Sequence, residues 1–380
     1  MENKQFQTMV LRELGATTSE VEELLTYNEN VFKKLPETLL SSIPMEDELF
    51  VSAWEGYVQE ANLYGVFPVL QEKLVQLQFP IREGISKTEN YRKATLRGAS
   101  TLEMPEAIGL RIQLEAPDRM DLMIHQTPAG NIPVIIVEER NDFVRIVQAL
   151  TSKNEPTPIP DSVGAVMVAG YNNWDRIWNY KKTWKEKNTF ENWSDEFKRL
   201  VANKALYQDR FIILSTGYYN GISANDLQLS ESEWRNLSLI IRREHEVTHY
   251  FTERILGSMC HNMLDELIAD YIGIVSAFGE YKADLFLRFI GLENFPHCRS
   301  DGRIHSYRSS LSDGAFHILQ ILLVNAAKNL EQLNSIVKDR PFGLKEKANL
   351  IRVLSHFTLE ELASVQGLEE LEKTLNIVIT

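Results

Sequence analysis

Eight histidines occur in the 380-residue chain, and two stand four residues apart in Arg243-Glu-His245-Glu246-Val-Thr-His249. On a helix that spacing puts both imidazoles on one face, one turn apart. Both can then reach a single metal ion, about 2.0–2.1 Å from each nitrogen. Glu246 sits about 100° round the helix from His245, off the ligand axis, where it can act as a general base toward water. This HExxH arrangement points to zinc-assisted hydrolysis. A catalytic zinc needs a third protein ligand and an open position. The continuation HxxGxxH is absent, because Thr252 and Ile255 stand where Gly and His would be required. Downstream, Glu266 and Asp270 lie at i and i+4 and share one face of the next predicted helix. If the chain folds back after Gly257-Ser258, Glu266 completes a His-His-Glu site. Asp270 is then placed to accept the free N–H of a ligand histidine. Asp265 competes for the third position, on a different face.

These residues need a helix to hold them. Ser230-Glu-Ser-Glu233 has capping-box form, with Leu229 and Trp234 at the hydrophobic-staple positions. Leu237, Ile240, Ile241, Val247 and Phe251 continue at helical spacing, and Gly257 stands where a glycine ends a helix. Helices are predicted over 231–256, 263–278, 281–290, 312–334 and 344–356, with a final pair around 358–375. Before them, Ile108–Leu114, Asp121–His125, Ile132–Val137, Val163–Ala169 and Phe211–Leu214 read as five strands. The start of the chain reads as helical, with a capped helix from Ser19 and apolar spacing from Asp47 to Leu77 that breaks near Gly65 and Pro68. The expected fold class is α+β. It comprises a helical N-terminal region over 1–95, a lobe with a mixed or antiparallel sheet over 96–229, and a helical lobe over 230–380. Residues 171–193 hold Trp174, Trp178, Trp184 and Trp193 with interleaved lysines. Such a segment can stack on single-stranded nucleic acid, but Trp174 and Trp178 at i and i+4 also suit packing onto the sheet.

HExxH followed at short distance by a helical ExxxD resembles the gluzincin metallopeptidases, the thermolysin-like superfamily, over roughly residues 205–330. The resemblance implies a zincin-type active-site helix with His245, His249 and Glu266 as zinc ligands, Glu246 as the base that activates water, and Asp270 as the partner behind a ligand. It also implies a donor to the developing oxyanion from the polar loop Asp301-Gly-Arg-Ile-His305-Ser-Tyr307, either His305 or Tyr307. Substrate peptides in that superfamily add a strand to the edge of the sheet. Two strand ends, Gly170-Tyr-Asn-Asn and Gly217-Tyr-Tyr-Asn, are candidates for that edge.

Composition narrows the partners. A hydrophobic fraction of 44% is that of a globular protein. The net charge of −13 disfavours a nucleic-acid backbone or an anionic membrane as partner. No apolar run approaches the roughly 20 residues of a membrane span. Two cysteines, Cys260 and Cys298, with no signal-like segment read as free thiols in a cytoplasmic protein. Cys260 and His261 lie close in sequence to the proposed ligands, and a cysteine there could act as an inhibitory one. A di-iron carboxylate centre would need a second ExxH beside Glu246-Val-Thr-His249, and the helical stretches contain none. The expected protein is therefore a zinc metallohydrolase, a protease or peptidase acting on a peptide or other amide. The alternative is a catalytically inactive relative that keeps the fold as a binding or regulatory module.

Overall fold

The β-branched runs of the middle third pair as one sheet. The computed structural model describes residues 2–34, 42–109, 111–188, 191–259, 262–333 and 342–379. Its strands are β1 (Met120–His125), β2 (Ile132–Val137), β3 (Ala165–Asn172) and β4 (Gln208–Ser215), in the spatial order β1-β2-β4-β3. β1 is antiparallel to β2, β2 is parallel to β4, and β3 is antiparallel to β4. A central parallel pair is covered on both faces, so its strands read as unbroken apolar runs. Val134, Ile135 and Phe211–Leu214 are accordingly buried. The chain is α+β, with the helices as its larger part.

Four of the five expected strands are present. Ile108–Leu114 is not a strand: Pro105–Ile108 forms a short helix with Pro105 in its first turn, and 111–114 pair with no neighbour. Proline's fixed φ and missing N–H favour a helix start there. Ile112 and Leu114 alternate because they pack on the core beside the sheet, and Leu110 lies outside the described residues. Of the two candidate strand ends, Gly170 belongs to the edge strand β3, at a bulge with φ of 77°, whereas Gly217 follows the interior strand β4.

In chain order the helices are α1 (Glu2–Glu13), α2 (Thr18–Tyr27), α3 (Val51–Tyr64), α4 (Val66–Lys73), α5 (Glu89–Arg97), α6 (Pro105–Ile108), α7 (Arg140–Thr151), α8 (Trp174–Lys187) and α9 (Trp193–Ala202). There follow α10 (Glu231–Ile255), α11 (Met263–Phe278), α12 (Ala283–Ile290), α13 (Asp313–Gln332), α14 (Leu344–Ser355), α15 (Leu359–Ala363) and α16 (Val365–Ile379). The cap of α2 is Thr17 rather than Ser19, because Thr17 and Glu20 exchange both bonds of a capping box. Gly65, at φ 89°, separates α3 from α4, and Pro68 sits in the first turn of α4, where its missing N–H costs nothing. In α8 the Trp174 indole N–H reaches the Thr95 carbonyl at 2.8 Å and that of Trp178 reaches Gly98 at 3.2 Å, at the end of α5. No helix among the described residues is long and apolar enough to cross a membrane.

The chain forms two compact units. Met1–Met45, Thr127–Ala129 and Tyr218–Thr380 make a helical unit, and Glu46–Gln126 with Gly130–Gly217 make the unit that holds the sheet. The helical start expected over 1–95 is thus shared between them. Within the helical unit the early and late segments meet at Glu360, which is fully buried. Its carboxylate accepts from Gln7 at 3.2 Å and from Asn28 at 2.7 Å.

Candidate metal centre

The Ser230 hydroxyl accepts from the Glu233 N–H at 3.3 Å and opens α10. Trp234, fully buried, anchors the first turn by donating to the Ile222 carbonyl at 2.7 Å. The helix runs 25 residues, and Gly257 at φ 74° turns the chain beyond its end. It carries His245 and His249 on one face, each 6% exposed.

Asn262 caps α11 by accepting from the Asp265 N–H at 3.2 Å. Facing residues of the two helices run in opposite senses: Ile241 meets Gly273, His245 meets Asp270, and His249 meets Asp265. α11 is therefore antiparallel to α10. A Cβ on Gly273 would stand 2.8 Å from the Ile241 carbonyl oxygen, so glycine allows the close approach of the two backbones.

That approach brings three donors together. His245 Nε2 lies 3.0 Å from His249 Nε2. Glu266 places Oε2 3.6 Å from His245 Nε2 and Oε1 3.4 Å from His249 Nε2. The three residues each offer an atom within 4.8 Å of the others, and all are buried. Glu266 Oε2 has no hydrogen-bond partner among the described residues. No other such His, Cys, Asp or Glu group occurs among the described residues.

Behind each imidazole stands a carboxylate. His245 Nδ1 donates to Asp270 at 2.8 Å, and His249 Nδ1 faces Asp265 at 3.3 Å. A proton kept on Nδ1 leaves the Nε2 lone pair for a metal. Asp270 also accepts from the Tyr219 hydroxyl at 2.6 Å and pairs with Arg303, which lies 3.7 Å from Glu266. Two buried carboxylates thus share one arginine. Burial alone would lower the His249 imidazole, yet Asp265 and Glu266 hold it well above its ordinary value. Burial alone would raise Glu266, yet His249, His245 and Arg303 hold it well below the usual carboxylate range. The cluster calls for added positive charge at the point where its free lone pairs converge. His245, His249 and Glu266 therefore fit a metal ion.

The remaining sequence candidates separate. Tyr307, in the short 3-10 segment Arg303–Tyr307, lies near enough for the Glu266 charge to act on its hydroxyl. Burial first, and the Glu266 charge second, raise its hydroxyl well above the ordinary tyrosine range, so it stays a donor. Its carbonyl accepts from the Tyr27 hydroxyl at 2.9 Å, which ties α2 to this segment. His305 is exposed, with Nε2 3.1 Å from the Arg299 carbonyl and 3.4 Å from Cys298 Sγ, and is not brought to the cluster. Asp301 pairs with Arg299 at 2.9 Å rather than with His305. Glu246 is half-buried on α10 beside His245. Cys260 and His261 lie outside the described residues.

Sequence reasoning passed over Tyr219, Arg303 and the orienting place of Asp265. Tyr219 belongs to Gly217-Tyr-Tyr-Asn, which reads as a strand end, and Arg303 lies in the polar loop chosen for its histidine and tyrosine. For Asp265 a signal existed: it is the residue next to Glu266, one position round the same helix. No curated protein and no solved structure matches the chain. A family of unknown function, DUF7005, matches it over residues 9–366, and the chain belongs to that family.

Proposed function

We propose that the protein is a zinc-dependent hydrolase of the gluzincin type, a peptidase that cleaves amide bonds. The observation that carries this reading is the meeting of the HExxH histidines and Glu266 in one buried cluster, with a carboxylate behind each imidazole. Two imidazoles and one carboxylate form the donor set typical of a catalytic zinc, with one position open. When bound, zinc polarises the scissile carbonyl and makes water more acidic. Glu246, outside the ligand set, takes the proton of the attacking water and hands it to the leaving amine. Tyr307, a retained donor beside Glu266, supports the oxyanion in place of the His305 alternative. Asp265 and Asp270 fix both imidazoles in the tautomer that frees Nε2.

The test is metal content by mass spectrometry on the wild type and on Glu246→Gln, with cleavage of a peptide pool measured beside it. One zinc per chain in both proteins, with cleavage in the wild type alone, is expected. Zinc in both with cleavage in neither would favour a metal-holding binding module. Absence of zinc from protein purified without chelators would sink the proposal.

A further inference from the structure

The sheet unit carries a cleft of about 710 Å³, lined by α4, the segment after α5, and α8. Sites for small molecules commonly span about 300–1,000 Å³. Trp178 gives the cleft a flat aromatic wall: its side chain is 37% exposed, and its donation to the Gly98 carbonyl at 3.2 Å holds the ring in place. Leu102, 75% exposed, adds apolar surface. Arg111 reaches the cleft with only its Nε engaged, on the Ala107 carbonyl at 2.6 Å. Its two terminal nitrogens have no partner among the described residues. A guanidinium with both terminal nitrogens open is a fork that matches a carboxylate or phosphate. Gln71 spends its amide protons on the Leu77 and Ile112 carbonyls, at 3.1 and 3.3 Å, which leaves its Oε1 as an acceptor for a ring N–H.

Local charge agrees with an anion. A smaller hollow of about 250 Å³ shares Gly98 and Trp178 with the cleft and adds Arg97 and Lys181 with no acidic residue. The acid of the main cleft, Glu72, is 74% exposed and sits 3.4 Å from Lys73, which lies closer, at 2.8 Å, to Glu60. Arg111, Arg97 and Lys181 against Glu72 leave the two hollows together positive in a chain of net charge −13.

We propose that this cleft binds a small planar aromatic anion, its ring stacked on Trp178 and its carboxylate or phosphate held by Arg111. The site is independent of the metal centre. Titration calorimetry on the full chain tests it with indole-3-acetate and adenosine 5′-monophosphate. Indole, adenosine and inorganic phosphate serve as controls that carry only half the recognition. Saturable one-to-one binding of at least one anion is expected. Arg111→Gln and Trp178→Leu should each weaken that binding by about tenfold or more, with circular dichroism and zinc content unchanged. Arg111→Lys should recover only part of the loss, because an ammonium lacks the fork. The proposal is overturned if neither anion binds, if the controls bind as tightly as the anions, or if folded Arg111→Gln binds like the wild type.

Discussion

The two histidines of the cluster are held by unequal partners. Asp270 gathers three donors, from His245, Tyr219 and Arg303, whereas Asp265 faces His249 alone among the described residues. Loss of an outer partner typically costs about 10–100-fold in metal affinity. Asp265→Asn should fall within that range. Asp270→Asn should fall lower still, because it also loosens Arg303 beside Glu266. Competition against a chromophoric chelator measures both, and unchanged affinity in Asp265→Asn would remove its orienting role. The two oxyanion candidates also part at this scale. Tyr307→Phe should keep its zinc and lose about 10²–10³ in kcat, while His305→Ala should turn over normally; the reverse ranking in steady-state kinetics would return the role to His305. The grouping of His245, His249 and Glu266 was legible because a 3.6-residue repeat states which side chains share a face of each helix. Arg303, His305 and Tyr307 were not separable, because a short loop rich in polar residues does not state which of them turns inward.

Helices were the most legible elements, since the caps and apolar stripes of α10 and α11 lie within the sequences of those helices. Strand reading failed at 108–114, where alternation served packing beside the sheet rather than pairing in it. The return of α11 along α10 after Gly257-Ser258 was legible, but the closeness of that approach was not. It depends on Gly273, and a glycine within an apolar helix carries no mark of what lies opposite. Gly273→Ala would press a methyl group on the Ile241 carbonyl and should cost about 1–3 kcal/mol. Because the same contact sets the spacing between the histidines and Glu266, zinc affinity should fall with stability. Denaturant midpoints and chelator competition read the two effects. A loss of stability with zinc affinity intact would show that the helices shift without disturbing the ligands.

All the residues that build the metal centre belong to the helical unit. A ligand that binds only the folded state stabilises it by about 2.7 kcal/mol at a free concentration 100 times its Kd. Chelation should therefore speed hydrogen exchange in α10 and α11 and leave β2 and β4 little changed, as mass-resolved exchange would report. Equal deprotection in both units would contradict a local metal site. The division into units was hidden in the sequence, because apolar stripes in α1 and α2 show that these helices are buried without showing against what. The answer lies more than 300 residues away, in contacts such as Asn28 with Glu360.

That separation has a consequence for biosynthesis. Chain synthesis proceeds at about 5–20 residues per second, so roughly 10–35 s pass between the emergence of residue 45 and that of residue 218. α1 and α2 emerge with Val10, Leu11, Val21 and Leu24 covered only in part by each other, and the late helices that complete their burial are not yet made. The sheet unit can close during that interval. The half of the molecule that carries the His245, His249 and Glu266 cluster must be completed last, around two helices that were made first.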